Sequence, residues 1–229
     1  MSDFIATVAH QYQFELPALY RRLYSDGMLD WGLPSANWYA EVFPRLRERP
    51  PALLFSQDFE LYMPEQVLAV DPQDWGPTYQ FVPLGQTGGG DLYAFCPSLT
   101  AHGETPVTLS LHDANETTVL ASSLEAFIFR QMLDRATAFD KYDLEGYANF
   151  DELRTDLQRA ALTIRPYLRP TWYARLTEVY ARLLQPQTIV LPRQSYTIDA
   201  LLPQAEFEEI LRQEINFTDL NTTFAHFSA

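Results

Sequence analysis

The stretch Tyr79-Gln-Phe-Val-Pro-Leu-Gly85, then Gln86-Thr-Gly-Gly-Gly-Asp91, then Leu92-Tyr-Ala-Phe-Cys96 decides the reading of this chain. Phe81 to Leu84 is a short apolar run bounded by Gly85, the pattern of a buried strand. Pro83 lacks the N–H a central strand would donate, which points to an edge or a bulge. Gly88, Gly89 and Gly90 supply the backbone freedom of a tight turn. Leu92 to Cys96 is then the return strand, with Leu92, Ala94 and Cys96 on one face and Tyr93 and Phe95 on the other. Downstream, Val107, Leu109 and Leu111 alternate with Thr108, Ser110 and His112, which predicts a strand with one buried and one polar face. Ser122 and Glu125 form a capping-box pair before a helix whose inner stripe is Leu120, Leu124, Phe127, Ile128 and Met132.

Working outward, residues 3–14 place Ile5, Val8, Ala9 and Tyr12 on one helical face. Leu16, Leu19, Tyr20, Leu23 and Tyr24 recur at amphipathic spacing, with Pro17 near the first turn and Gly27 past the end. Ser35 is a candidate cap for a short helix bearing Trp38, Tyr39, Val42 and Phe43, limited by Pro44. Ala52 to Phe55 reads as a strand, Asp58 to Tyr62 alternates, and Pro64 opens a short helix running through Val67. Asp71-Pro72 and Gly76-Pro77 are turn signals around Trp75. After Lys141, Asn149 with Glu152 is a cap for a helix carrying Leu153, Leu157, Ala160, Ala161, Ile164 and Leu168. Thr171 opens another with Trp172, Leu176, Val179, Tyr180 and Leu183. Ile189 to Leu191 reads as a short strand, Ala205 to Ile215 as a helix, and the tail from Asn216 is polar and weakly patterned. The default role of all these aromatic residues is core.

Length and composition narrow the function. A chain of 229 residues that is 47% hydrophobic is globular, with one or two domains. No apolar run is long enough to span a membrane, and the N-terminus Met-Ser-Asp-Phe-Ile lacks a basic leader, so neither a span nor a secretory signal is expected. A single cysteine, Cys96, excludes an internal disulfide and suits a cytoplasmic, reducing compartment. The net charge of -14 is uneven. No Lys or Arg lies between Arg49 and Arg130, an interval that holds Asp58, Glu60, Glu65, Asp71, Asp74, Asp91, Glu104, Asp113, Glu116 and Glu125. Such a field disfavours nucleic acid and anionic membrane and favours a basic protein or a divalent cation, while plain solubility accounts for it equally well. One lysine, Lys141, against 15 arginines reads as genome composition.

The motifs that carry chemistry elsewhere are weak here. Gly88-Gly89-Gly90-Asp91 has no lysine near it and lacks the phosphate-loop pattern, so a turn between strands is the better reading. His112-Asp113-x-x-Glu116 could hold a cation or do acid–base work, but no second catalytic group is identified beside it, and a strand-end turn with Asp113 and Asn115 bonding local backbone is favoured. Cys96 on an apolar strand has no basic neighbour in sequence to activate it. No nucleophile elbow or His-Glu-x-x-His motif occurs. Neither a catalytic site nor a cofactor or metal is therefore expected.

The ordered set Val-Pro-Leu-Gly, Gly-Gly-Gly-Asp, Leu-Tyr-Ala-Phe, Val-Thr-Leu-Ser-Leu-His-Asp-x-x-Glu and Leu-Ala-Ser-Ser-Leu-x-x-Phe-Ile, with the Leu16-Pro17-x-x-Tyr20 helix before it, resembles the SUKH superfamily of yeast Smi/Knr cell-wall regulators and bacterial toxin-immunity proteins. The resemblance spans roughly residues 12–135. It implies an α+β fold, a twisted and mainly antiparallel sheet with packed helices, and a binding role rather than catalysis. Residues 1–140 would form that domain, and residues 141–229 a mostly helical C-terminal extension packed on it. The expected function is that of an immunity protein which neutralises a cognate toxin, of basic and nuclease type, by direct binding. A regulatory scaffold or a metal-dependent hydrolase using the acidic cluster are the alternatives. The contacts expected from charge and position are Asp71, Asp74, Asp91, Asp113 and Glu116, with Trp75 and Tyr79 as anchors.

Overall fold

The computed structural model describes residues 2–71, 74–75, 78–191 and 194–227. Along the chain come α1 (Ser2–Tyr12), α2 (Ala18–Ser25), α3 (Trp38–Glu41), α4 (Phe43–Glu48), β1 (Glu60–Leu61), α5 (Pro64–Ala69), β2 (Val82–Gln86), β3 (Leu92–Phe95), β4 (Val107–Ser110), β5 (Thr117–Ala121), α6 (Leu124–Asp134), α7 (Phe150–Ile164), α8 (Pro170–Tyr180), β6 (Gln185–Leu191), β7 (Gln194–Ala200), α9 (Gln204–Glu214) and β8 (Thr223–Phe224). This is an α+β fold with a mainly antiparallel sheet and a largely helical C-terminal part. No helix among the described residues is long and apolar enough to cross a membrane. The chain forms two compact units that interleave in sequence: residues 1–27, 58–127 and 215–229 in the first, 28–57 and 128–214 in the second.

The first unit is built on a six-stranded sheet in the order β1-β2-β3-β4-β5-β8, each neighbour antiparallel. Pro83 takes the bulge its missing N–H requires, and the β2–β3 register shifts between Pro83 and Gly85. One face of β3 turns Tyr93 and Phe95 towards Phe59, Phe127, Phe14 and Tyr20, with ring centroids 5.2–6.1 Å apart. The opposite face, Phe81, Leu92, Ala94 and Cys96, is covered by Tyr62, Trp75, Tyr79, Leu99 and Phe224. Burial pushes the Cys96 thiol up to about 12, which keeps it inert. The α1 helix docks through Tyr12, whose hydroxyl donates to the Val67 and Val70 carbonyls at 2.7 and 2.9 Å.

Because both faces of the sheet are covered, the expected polar face of β4 is a buried one. Thr108 and Ser110 are fully buried while Leu109 is only partly so. Thr108 donates to the Ala94 carbonyl at 3.2 Å, and Ser110 and Thr117 share a hydroxyl–hydroxyl bond at 2.8 Å, so neither burial leaves a polar atom unpaired. Leu120 belongs to β5 and not to the helix stripe. The α6 cap is Ser123, not Ser122: its hydroxyl accepts the Ala126 N–H at 3.3 Å, one position later than the capping-box spacing predicts. Asp71 closes a turn by accepting the Asp74 N–H at 3.1 Å, whereas Pro72, Gly76 and Pro77 of the expected turn signals lie outside the described residues.

In the second unit, Asn149 caps α7 as its spacing predicts, its side-chain oxygen accepting the Glu152 N–H at 3.1 Å. The buried stripe of α7 is Leu153, Leu157, Ala161 and Ile164, and that of α8 is Trp172, Leu176, Val179 and Tyr180. Phe129 stacks on Trp172 with rings 4.6 Å apart and nearly parallel, and the Tyr180 hydroxyl donates to the Met132 carbonyl at 2.7 Å. Asp156 shares the buried face of α7 and is satisfied by Arg47 and Arg159. Ala52 to Phe55, expected as a strand, is a series of turns. Leu53 sits at φ 65°, and the Ala52 and Ser56 N–H groups donate to the Met28 and Leu53 carbonyls instead of a strand ladder. Ser35 does not cap α3 through its hydroxyl; the cap position is Asn37, and Ser35 contributes its carbonyl to the Trp38 N–H. The strand expected at Ile189 to Leu191 is longer, beginning at Gln185, and pairs with β7 as a two-stranded ribbon.

Candidate functional site

Charge divides the two units sharply. The first contains 14 of the 30 acids but only two of the 16 basic residues, Arg21 and Arg22, and so carries -12 of the net -14. In the second unit carboxylates face guanidiniums: Arg47 with Glu152 and Asp156, Arg135 with Asp143, Arg182 with Glu178 and Glu206. In the first, Arg22 pairs with Asp26 and His112 with Asp91.

The β3–β4 register, with Leu92 opposite Ser110, carries Asp91 to the residues that follow β4. One Asp91 carboxylate oxygen accepts both the main-chain N–H of His112, at 3.0 Å, and its ring Nδ1, at 2.7 Å. Partial burial alone would raise the Asp91 carboxyl, but these bonds and the adjoining imidazole outweigh it and hold the group below its ordinary value. The loop before Asp91 is closed by Thr87, whose hydroxyl accepts the Asp91 N–H at 3.0 Å, with Gly90 at φ 95° where a side chain would be strained. Asp58 fastens the same loop by accepting the Gly88 N–H at 2.8 Å.

Asp91, His112 and Asp113 each offer a ligand atom within 4.8 Å of the others, the one grouping of described residues with the makings of a cation site. Its Asp91 oxygen already accepts two bonds from His112, so the geometry is that of a tied turn. Glu116 ends the same turn, its carbonyl accepting the Leu111 N–H at 3.0 Å and its carboxylate exposed. The sheet thus brings Asp91, Asp113 and Glu116 to one end, where Asp58 and Glu60 join them. Those two acids were not among the expected contacts, because only the pairing of β1 with β2 places them there.

Asp71, Asp74, Trp75 and Tyr79 fall elsewhere, on the segment that crosses the second face of the sheet. Asp71 and Asp74 are exposed. Trp75 and Tyr79 are half-buried: the Tyr79 ring lies 4.3 Å from Phe224, and Trp75 lies 6.1 Å from His226. The C-terminal tail links this segment to the acidic end. His226 bonds Thr117 at 2.9 Å, and Asn115 exchanges two hydrogen bonds with the main chain of Phe227 at 2.6 and 2.9 Å. The weak patterning of the tail concealed this role; the aromatic cluster Phe224, His226 and Phe227 in a polar stretch was the local hint.

The sequence model of the SMI1 / KNR4 family (SUKH-1) matches residues 2–130. No curated protein and no solved structure matches the chain.

Proposed function

The chain belongs to the SMI1 / KNR4 family (SUKH-1), and from that premise we propose that it is a non-catalytic immunity protein of the cytoplasm that neutralises a cognate toxin by binding it directly. The observation that carries this reading is the concentration of charge. The first unit holds -12 and displays carboxylates from two adjacent strand turns, Asp91, Asp113 and Glu116. Such a face suits a basic partner, of the kind a nuclease presents to phosphate, and complementary charge would accelerate the encounter. Asp71 and Asp74 widen the field, and the exposed parts of Trp75 and Tyr79 supply the aromatic contacts that dominate affinity in most interfaces.

The test is capture of partners from the native host by the tagged full chain at low and moderate salt, followed by affinity measurement. A single basic protein bound at a one-to-one ratio and released by salt is the expected result, since screening weakens an exposed charged interface. D91K/D113K/E116K should then lower affinity at least about tenfold. Unchanged affinity in that triple variant would overturn the electrostatic reading. Recovery of many envelope or regulatory proteins would instead favour the scaffold function.

A further inference from the structure

The last strand and the residues after it are held by a short main-chain ladder, by Asn115, which exchanges two hydrogen bonds with the Phe227 main chain, and by the buried side chain of His226. Thr223 and Phe224 pair with Thr118 and Thr117, and the main chain of Val119 exchanges bonds with Asn221 and Thr222 at 2.9 Å. Behind this short ladder His226 is only 1% exposed. Its Nδ1 meets the Thr117 hydroxyl at 2.9 Å, and Thr117 meets Ser110 at 2.8 Å, so a buried imidazole ends a chain of two buried hydroxyls.

Among the described residues, the side chains against the ring are uncharged. They are Thr117 from β5, Ser110 beyond it on β4, Phe81 beside β2, Trp75 from the crossing segment, and Phe227 of the tail itself. The charged or titratable groups on the adjoining elements are Glu116, Asp113 and the exposed His112 on the β4–β5 turn, and Asp71 and Asp74 beside Trp75. All four carboxylates are exposed to water. Burial holds the imidazole below its ordinary value, against a smaller opposing pull from the Glu116 main chain. The seated tail therefore prefers neutral His226. Its hold is complete above the ordinary histidine value of about 6.5 and declines as pH falls below that value towards the lowered one.

We propose that residues 221–227 are a proton-released latch: with His226 neutral they hold the edge of β5 and cover Trp75 and Tyr79, and when His226 gains a proton they detach and uncover both rings. The covering contacts are those already described, Phe224 against Tyr79 and His226 against Trp75. The link to partner binding rests on the function proposed above. The latch itself does not, because it is a property of the free chain.

The experiment is hydrogen exchange by mass spectrometry on the full chain from pH 7.5 to 5.0, corrected for intrinsic exchange, with hydroxyl-radical footprinting of Trp75 and Tyr79 alongside. Peptides covering residues 117–119 and 221–227 should lose protection as pH falls, while β3 stays protected and both rings become more reactive. Each unit by which burial lowers the His226 pKa raises the released fraction about tenfold once pH lies below both values. H226N, which keeps a polar side chain but cannot titrate, should show no such dependence. The proposal is overturned if the tail stays protected at pH 5.0 in the wild-type chain, if protection is lost uniformly across the first unit, or if H226N releases with the same pH profile. Because no partner is present, each of these failures leaves the toxin-binding reading to be judged on its own test.

Discussion

Gly85→Ala is the substitution for which the structure sets the clearest magnitude. Gly85 pairs with Leu61 on one side and Tyr93 on the other. A Cβ at Gly85 would stand 2.4 Å from the Glu60 carbonyl oxygen and 2.9 Å from the Phe59 ring. An ordinary carbon–oxygen approach is about 3.3 Å or more. The oxygen is main chain, so no rotamer relieves the overlap; β1 must move away from β2, and the Tyr62 N–H bond to the Leu84 carbonyl goes with it. Overpacking of this kind costs about 1–3 kcal/mol, and the loss of ladder bonds puts Gly85→Ala at the upper end. Gly90→Ala is the internal control. Its backbone is at φ 95° but nothing lies within 4 Å of the added carbon, so only the conformational cost of about 1–2 kcal/mol applies. Thermal melts of both variants should separate them, since each kcal/mol moves the midpoint by about 2–4 °C in a chain of this size. A Gly85→Ala protein as stable as Gly90→Ala would refute the claim that Gly85 is required by close approach.

In the second unit, Asp156→Ala strands the Arg47 and Arg159 guanidiniums beside a buried face and should cost about 3 kcal/mol by urea denaturation; a loss below about 1 kcal/mol would mean Glu152 and water replace the carboxylate in full. Asn149→Ala removes the α7 cap and should cost about 1 kcal/mol, whereas Asn149→Asp or Asn149→Ser should be nearly neutral. Asp91 has a folded pKa below its unfolded value, so its stabilising contribution is complete above about pH 3.9 and lost as pH falls through the lowered value. Asp91→Asn should therefore be less stable than wild type at pH 7, and the two stability curves should converge in strong acid. Parallel curves would show that the His112 bonds do not favour the charged form.

The centre of the fold was legible because its punctuation has unique physical meaning. Pro83 had to mark an irregular strand position, and it sits at the bulge; Gly88 to Gly90 had to turn, and they do. Other readings were limited by what a one-dimensional period can report. Alternation along β4 told which residues share a face but not that both faces are covered, so the buried pair Thr108 and Ser110 passed for a solvent side. β5 was hidden because Thr117 to Ala121 runs straight into α6, and its leucine fitted the helical stripe. The apolar run Ala52 to Phe55 was too short to distinguish strand from buried turn. At the candidate site, Asp91 and His112 come together through strand pairing across 21 positions, and Trp75 and Tyr79 meet a tail about 150 residues away. Nothing local encodes either encounter.

The interleaving of the units also bears on when the protein can work. The sheet that carries the acidic turns has five of its strands by Ala121, yet its sixth arrives only with Thr223 and Phe224. At ribosomal speeds of about 5–20 residues per second, the intervening stretch takes roughly 5–20 s to synthesise. During that interval β5 presents an unpaired edge, and Trp75 and Tyr79 lack their cover. A nascent chain therefore passes through a state in which that edge and those two rings are open to water, chaperones or neighbouring nascent chains, and the sheet is complete only once Thr223 and Phe224 have emerged.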